Sequence, residues 1–215
     1  MSEYLRIFHK QAPVKVLGPY QRAVIWLQGC NWGCHGCIVP ESWSLEGGEL
    51  ITISELRDWI LAQDTIEGVT FSGGEPMLQA EGLLNLIEEI QNQRDLGIVC
   101  YTGYTLEYLQ NKGSVSQQKL FTKIDLLIDG LYQESNHGDL LWRGSSNQRL
   151  FLLSSRYQII IQEYLKGGES SAGLEFQTDI NGELSFVGVP NLPNFRQQFE
   201  QKMHSLGVKF QALSS

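Results

Sequence analysis

No stretch of this 215-residue chain approaches the ~18 consecutive apolar residues of a membrane-spanning helix. Basic residues are also in short supply: 16 Lys and Arg stand against 24 Asp and Glu, for a formal net charge of −8. That balance argues against non-specific binding to nucleic acid or to an anionic membrane, both of which need basic surface, so neither is expected as a partner. The opening Met1-Ser-Glu-Tyr-Leu-Arg-Ile7 lacks the basic and apolar regions of a signal peptide. Internal repeats and low-complexity segments are missing as well. Cysteine is scarce, with four in the chain. The expectation is a cytoplasmic protein, where thiols stay reduced and clustered cysteines more often bind metal than form disulfides.

Three of those four cysteines fall within eight residues, as Cys30-Asn-Trp-Gly-Cys34-His-Gly-Cys37. A Cys-x3-Cys-x2-Cys triplet supplies three thiolates and withholds a fourth ligand. Closed structural sites want four protein ligands, whereas sites that do chemistry keep a position open. Thiolates select soft centres, zinc and iron–sulfur clusters above all. In a cubane cluster held by three cysteines, one iron is left to bind a small molecule. The alternative is a structural zinc site completed by His35 or Cys100, in a non-catalytic interaction module. His35 lies between two ligands and is poorly placed to close the same tetrahedron. Cys100 sits in an apolar segment, where a free cysteine behaves as a small hydrophobe.

The size of the chain suits one domain, or one domain with an appendage. Its pattern reads as strands over Tyr4–Phe8, Val14–Leu17 and Arg22–Leu27, the last running into Cys30. Ala23-Val-Ile-Trp-Leu27 is continuously apolar, as expected for a strand covered on both faces. Thr52-Ile-Ser-Glu55 forms a capping box opening a helix with Ile53, Leu56 and Ile60 on one face. Val69–Phe71 is a short strand ending in Ser72-Gly73-Gly74-Glu75-Pro76, followed by a helix carrying Leu83, Leu86, Ile87 and Ile90. Gly97–Tyr101 (strand), Thr105–Lys112 (helix) and Ile124–Ile128 (strand) continue the alternation. Such alternation implies right-handed crossovers and a mainly parallel sheet, with chemistry at the C-terminal ends of the strands. The fold expected is α/β, a partial open (β/α) barrel of about six mainly parallel strands. Residues 1–155 would form this core and 156–215 a C-terminal extension packed on it. The extension reads as a strand over Tyr157–Ile161, a polar loop over 163–173, a hairpin turning at Asp179-Ile-Asn-Gly182, and a helix from Pro193 with Phe195, Phe199, Met203 and Leu206 on one face.

At the end of its strand, the Gly73-Gly74 pair lets a ligand approach the backbone closely, or simply makes a tight turn. Glu75 would then accept a hydrogen bond from a ligand amine. Thr102 follows a strand end and either lines a pocket or starts the turn into the next helix. Asp129 ends another strand, and strand termination is its plain reading. Arg143 and Arg149 bracket a polar loop containing Asn147; such arginines grip a carboxylate or a main chain, or are solvated surface. Trp32, between the cysteines, shields the centre or anchors a partner. His9, His137 and His204 have no neighbours of catalytic spacing and are assigned no role.

Five stretches carry a resemblance: Gln28-Gly-Cys-Asn-Trp-Gly-Cys-His-Gly-Cys37, Thr70-Phe-Ser-Gly-Gly-Glu-Pro-Met-Leu78, Tyr101-Thr-Gly-Tyr-Thr-Leu-Glu107, Ile124-Asp-Leu-Leu-Ile-Asp-Gly130 and Arg143-Gly-Ser-Ser-Asn-Gln-Arg149. Together they resemble the radical S-adenosylmethionine (radical SAM) enzymes, and within them the activating enzymes of glycyl-radical enzymes, in particular the anaerobic ribonucleotide reductase activases. The resemblance spans roughly residues 18–149. It implies an oxidoreductase with a [4Fe–4S] cluster on Cys30, Cys34 and Cys37 and S-adenosylmethionine (SAM) as second cofactor. SAM would lie against Ser72, Gly73, Gly74, Glu75, Thr102 and Asp129. Trp32, Arg143, Asn147 and Arg149 would meet a substrate or partner. The implied reaction is reductive cleavage of SAM to a 5′-deoxyadenosyl radical, which takes a glycine hydrogen from a partner glycyl-radical enzyme. A low-potential donor such as flavodoxin or ferredoxin would supply the electron. Modification of another peptide or a small molecule is the alternative. Two features depart from the activases: Ile38-Val39-Pro40 after the third cysteine, and the extension beyond about Ser155. Gly36, where the superfamily commonly has an aromatic residue, is shared with this branch.

Overall fold

A computed structural model describes residues 2–178 and 184–207 of the chain. The expected turn at Asp179–Gly182 lies outside the described residues. The first strand, β1 (Tyr4–Val14), is antiparallel both to β2 (Arg22–Leu27) and to β3 (Glu49–Thr52). After β3 come α1 (Ile53–Leu61), β4 (Gly68–Gly73), α2 (Ala80–Gln91), β5 (Gly97–Thr102), α3 (Leu106–Asn111), α4 (Val115–Phe121) and β6 (Leu126–Asp129). The chain then forms the short strands β7 (His137–Leu140), β8 (Arg143–Ser145) and β9 (Arg149–Leu152). Last come α5 (Gln158–Leu165), the hairpin strands β10 (Leu174–Thr178) and β11 (Leu184–Gly188), and α6 (Phe195–Ser205).

Among the described residues the main sheet has seven strands in the order β3-β1-β2-β4-β5-β6-β9. Its centre, β2-β4-β5-β6, is parallel, and the flanking strands pair antiparallel. The α/β class and the parallel centre match the expectation; the strand count does not. Sheet faces alternate as period 2 requires. Ala23, Ile25, Val69, Phe71, Ile98, Cys100 and Leu127 point to the helix-covered core, while Val24, Trp26, Val99, Leu126 and Ile128 point to the other face. All six β2 residues are buried because both faces are covered. Thr52 and Glu55 make the expected capping box on α1, and Ser114 with Gln117 makes another on α4, a helix the apolar pattern did not announce.

The run Tyr157–Ile161, expected as a strand, is the start of α5. Its Ile triplet suits a strand locally. Tyr157 and Ile161, four apart and both buried in the second core cluster, share a helical face instead. Likewise Tyr4–Val14 is a single strand, and the strand expected over Val14–Leu17 does not form, because the chain bends away from the sheet after Val14.

One ion stabilises the strand starts. Arg22 is fully buried. Its guanidinium donates to Thr70 Oγ1 (2.6 Å), Pro19 O (3.0 Å), Tyr157 Oη (2.8 Å), Val69 O (2.7 Å) and Gly97 O (2.7 Å). Five donors meet five neutral acceptors, the full capacity of the fork. Tyr157 thereby ties α5 to the bottom of β2, β4 and β5.

Candidate metal and cofactor site

The three thiols lie on the loop that leaves the C-terminal end of β2. Gly29, Gly33 and Gly36 hold φ of +101°, +60° and +74°, so the chain can reverse between cysteines without a Cβ penalty. The loop is pinned by Gly29 N to Ser42 O (2.8 Å), Cys30 N to Trp43 O (3.0 Å) and Cys37 N to Cys34 O (3.1 Å). From below, Gln28 Nε2 donates to Ser44 O at 2.7 Å. Cys30, Cys34 and Cys37 are free and half-buried, and all three line one cavity of about 520 Å³.

Burial raises all three thiols above their ordinary value, and the thiolate charges of Cys30 and Cys37 raise Cys34 further. Three soft donors that repel one another as anions suit a positively charged centre, which would hold them deprotonated. Among the described residues no three His, Cys, Asp or Glu side chains gather tightly enough for a single metal ion. One zinc ion would need every sulfur at about 2.3 Å from a common point; a cubane spreads its thiolates over separate irons. The donor set fits the cluster. Cys100 stands apart, 1% exposed on the helix-covered face of β5.

The Gly73-Gly74 turn at the end of β4 presses against this loop. Gly74 N donates to Leu27 O and Glu75 N to Gly29 O, both at 2.8 Å. A Cβ on Gly74 would meet Gly29 O at 2.3 Å, and one on Gly73 would meet Leu27 N at 2.6 Å. The paired glycines are thus required by close backbone contact, Gly73 with the end of β2 and Gly74 with the loop that leaves it. Ser72, Gly73, Gly74, Glu75 and Thr102 all line the cavity with the cysteines.

Glu75 is the hub, at 1% exposure. Oε1 accepts from Met77 N (2.9 Å) and Thr102 Oγ1 (2.7 Å), and Oε2 accepts from Trp32 Nε1 (2.8 Å) and Gly103 N (2.8 Å). Burial pushes its carboxyl up, against those four hydrogen bonds, which hold it down. The sequence reading gave this carboxylate to a ligand amine; here its four acceptor positions are taken by the protein. It locks the cysteine loop through Trp32 and the β5 turn through Thr102 and Gly103. Trp32 lies edge-on to Tyr104, with centroids 4.9 Å apart.

Other candidates are brought elsewhere. Asp129 is fully buried, but its carboxylate accepts from Leu106 N (2.7 Å) and from Arg149 Nε (3.0 Å) and Nη2 (2.5 Å). Arg149 also forks onto Glu107 at 2.9 and 2.8 Å. Arg143 donates to Gln148 O and pairs with Glu169, and Asn147 donates to Leu131 O. None of Asp129, Arg143, Asn147 and Arg149 lines the cavity, whereas their neighbours Gly130, Gly144 and Gln148 do. These polar residues fold the stretch after β6.

Sequence reasoning passed over Tyr132, whose ring edge lies 3.1 Å from where a Gly36 Cβ would stand. That close contact and the φ of +74° both favour glycine before the third cysteine, and the fold puts an aromatic ring beside it from a distant loop. His9 and His137 also line the cavity, and Tyr132 Oη meets His137 Nδ1 at 3.1 Å. No local spacing marks these residues; only the fold brings them in.

Residues 16–151 match the family described as 4Fe-4S single cluster domain. An anaerobic ribonucleoside-triphosphate reductase-activating protein of Vibrio cholerae is 38% identical over 151 residues, which cover 66% of this chain and 94% of that protein. The protein of the same name from Enterobacteria phage T4 is 31% identical over 141 residues, covering 63% and 86%. Among solved structures, QueE from Escherichia coli is similar at a TM-score of 0.41 and 22% identity, over 47% of this chain and 53% of that one.

Proposed function

This chain belongs to the 4Fe-4S single cluster domain family, with the anaerobic ribonucleoside-triphosphate reductase-activating proteins as relatives, and from that premise we propose that it is a radical SAM enzyme that activates a glycyl-radical enzyme. Its cofactors are a [4Fe–4S] cluster and SAM. The observation that carries the reading is the convergence of three free thiols and the Gly73-Gly74 turn on one cavity, joined through Glu75.

Cys30, Cys34 and Cys37 would hold the cluster. The main chain of Ser72, Gly73 and Gly74, with Thr102 beside it, is the surface against which SAM would be oriented. Glu75 and Trp32 keep the cysteine loop and the two strand-end turns in register, which a reaction needing fixed geometry requires. When bound, cluster and SAM supply a one-electron reductive cleavage that yields a carbon radical able to abstract hydrogen. The enclosing aromatic and aliphatic walls would exclude water from it. The partial-barrel reading of the fold is supported by the parallel centre, with α1 to α4 on one side and the cavity at the strand ends. A low-potential flavodoxin or ferredoxin is the electron donor proposed.

The test is anaerobic reconstitution with iron and sulfide, then incubation with a reductant, SAM and an anaerobic ribonucleotide reductase. Formation of 5′-deoxyadenosine together with a glycyl radical signal on the reductase is expected. Release of 5′-deoxyadenosine without that signal would overturn the activation step and leave SAM cleavage standing.

A further inference from the structure

Two stretches set this chain apart from the activases: Ile38-Val39-Pro40 after the third cysteine, and the residues beyond about Ser155. In the fold they touch. The extension lies past the matched residues 16–151 and includes the β10–β11 hairpin and α6. From the first turn of α6, Arg196 Nη1 donates to Glu41 Oε2 at 2.7 Å and to Ile38 O at 3.3 Å, while Nη2 reaches Glu41 Oε1. Its Nε donates to Glu200 Oε1 at 2.8 Å, one turn further along the helix. The Arg196 and Glu41 side chains keep only 25% and 23% of their surface exposed. A forked, largely buried guanidinium–carboxylate pair is directional and poorly screened, unlike an ordinary surface ion pair.

What Arg196 grips is the frame of the cysteine loop. Glu41 lies in the short turn Pro40–Trp43, whose Ser42 O and Trp43 O accept from Gly29 N and Cys30 N. At its other end the same stretch leaves Cys37 through Ile38. Val39 O accepts from Ser42 N at 3.1 Å and from Ser42 Oγ at 2.7 Å, which closes the turn on itself. Residues 38–43 therefore join the third thiol to the first, and Arg196 holds them at Ile38 and at Glu41. The arginine has a footing of its own. Val187 of β11 is buried with Val14, Val16, Leu17, Val24 and Trp26, and Phe186 carries Phe195 and Phe199 at centroid distances of 5.3 and 5.6 Å. Helix α6 buries none of its residues fully, so its hold on the core runs through those rings and Arg196.

We propose that Arg196 is a positioning residue for the cluster: reaching in from the extension, it fixes residues 38–41 and, through them, the place of Cys37 relative to Cys30. The inference rests on the reading that the three thiols hold a [4Fe–4S] cluster. Such a cluster stays bound only while all three sulfurs keep their places. The loop that carries them has glycine at 29, 33 and 36 and little stiffness of its own. Stiffness must come from the groups around it. Glu75 supplies it near Cys30 through Trp32, and Arg196 supplies it just past Cys37. The extension thus stabilises the metal centre from outside the matched domain.

The experiment uses the full protein, reconstituted anaerobically with iron and sulfide. Excess EDTA is added, and cluster loss is followed as decay of the broad absorption near ~400 nm. Partners that orient metal ligands are worth about 10–100-fold in metal affinity, so Arg196→Ala should lose its cluster about tenfold faster than the unmodified protein. Glu41→Ala should lose it about three- to tenfold faster, and the double variant no more than about twofold faster than Arg196→Ala, because the two act as one unit. Glu200→Ala removes a contact within α6 and leaves the grip on the loop; its rate should stay within about twofold of the unmodified protein. The electron paramagnetic resonance signal of the reduced cluster without SAM should change shape in Arg196→Ala and Glu41→Ala and not in Glu200→Ala. An unchanged rate and signal in Arg196→Ala overturns the role. So does equal loss in Glu200→Ala, which would trace the effect to helix stability, or multiplied effects in the double variant. Failure of the underlying reading looks different: the unmodified protein would then take up no cluster at all.

Discussion

A carboxylate with four donors around it and almost no exposure is a structural keystone before it is anything else. Replacing Glu75 by Gln keeps the shape but turns an acceptor into an NH₂ group facing Trp32 Nε1 and Gly103 N, or Met77 N and Thr102 Oγ1. The expected cost is about 2–4 kcal/mol of stability, measured by denaturant unfolding of the iron-free protein, together with a shift in tryptophan emission as Trp32 loses its acceptor. A loss under about 0.5 kcal/mol would contradict the keystone role. The thiols behave differently. Cys30→Ala, Cys34→Ala and Cys37→Ala should each abolish the broad absorption near ~400 nm and the bound iron, whereas Cys100→Ala, on the opposite face of the sheet, should retain both. Full iron content in any triplet variant would refute the ligand assignment.

At the scale of elements, the ties between strands and helices decide order. Removing the hydroxyl with Tyr157→Phe leaves an Arg22 N–H without its acceptor at the foot of β2. About 1–3 kcal/mol should be lost, and Arg22→Ala, which also strands Val69 O and Gly97 O, should cost more than Tyr157→Phe. Denaturant midpoints of the two variants check the order. On the rim, the Arg149 hydrogen bond, followed by the Glu107 backbone, holds the Glu107 carboxyl down at about 2 against an ordinary 4.5. A depressed carboxyl contributes stability that is complete above its unfolded value and is lost as the pH falls through the folded one. Between about pH 5 and pH 3 the unmodified protein should therefore lose more stability than Glu107→Gln does. The difference will be small, because the pair is exposed and screened; parallel pH profiles would count against it.

For the whole molecule, the sheet needs both faces covered. Helices α1 to α4 cover one, and the other is closed by Trp142, by Tyr157 and Ile161 of the α5 segment and, further up, by Val187. A chain ended after Arg156 loses Tyr157 and Ile161 from that core, about 3–6 kcal/mol of burial, which approaches the full stability of a typical domain. It should not unfold cooperatively, whereas a chain ended after Leu165 should. Cooperative unfolding of both would show that the inner face needs no α5.

Local chemistry was legible where the constraint is local. Cysteine spacing, the capping box at Thr52 and Glu55, the doubly covered strand at Ala23–Leu27 and the helix stripes of α2 all follow from neighbours in the chain, because thiolate chemistry and the two side-chain periods act over a few residues. Tertiary structure alone decided the rest. Ile159-Ile160-Ile161 suits a strand or a helix locally, and burial of Tyr157 with Ile161 chose the helix. Whether Glu75 faces a ligand or its own protein depended on Trp32 and Gly103 arriving from two other loops. That Asp129 pairs with Arg149, and that Arg196 pairs with Glu41 close after the third cysteine, depended on contacts between segments 20 to 155 residues apart. Long-range burial has no period to read in a sequence, so a triplet of cysteines announced the centre and the fold alone set what surrounds it.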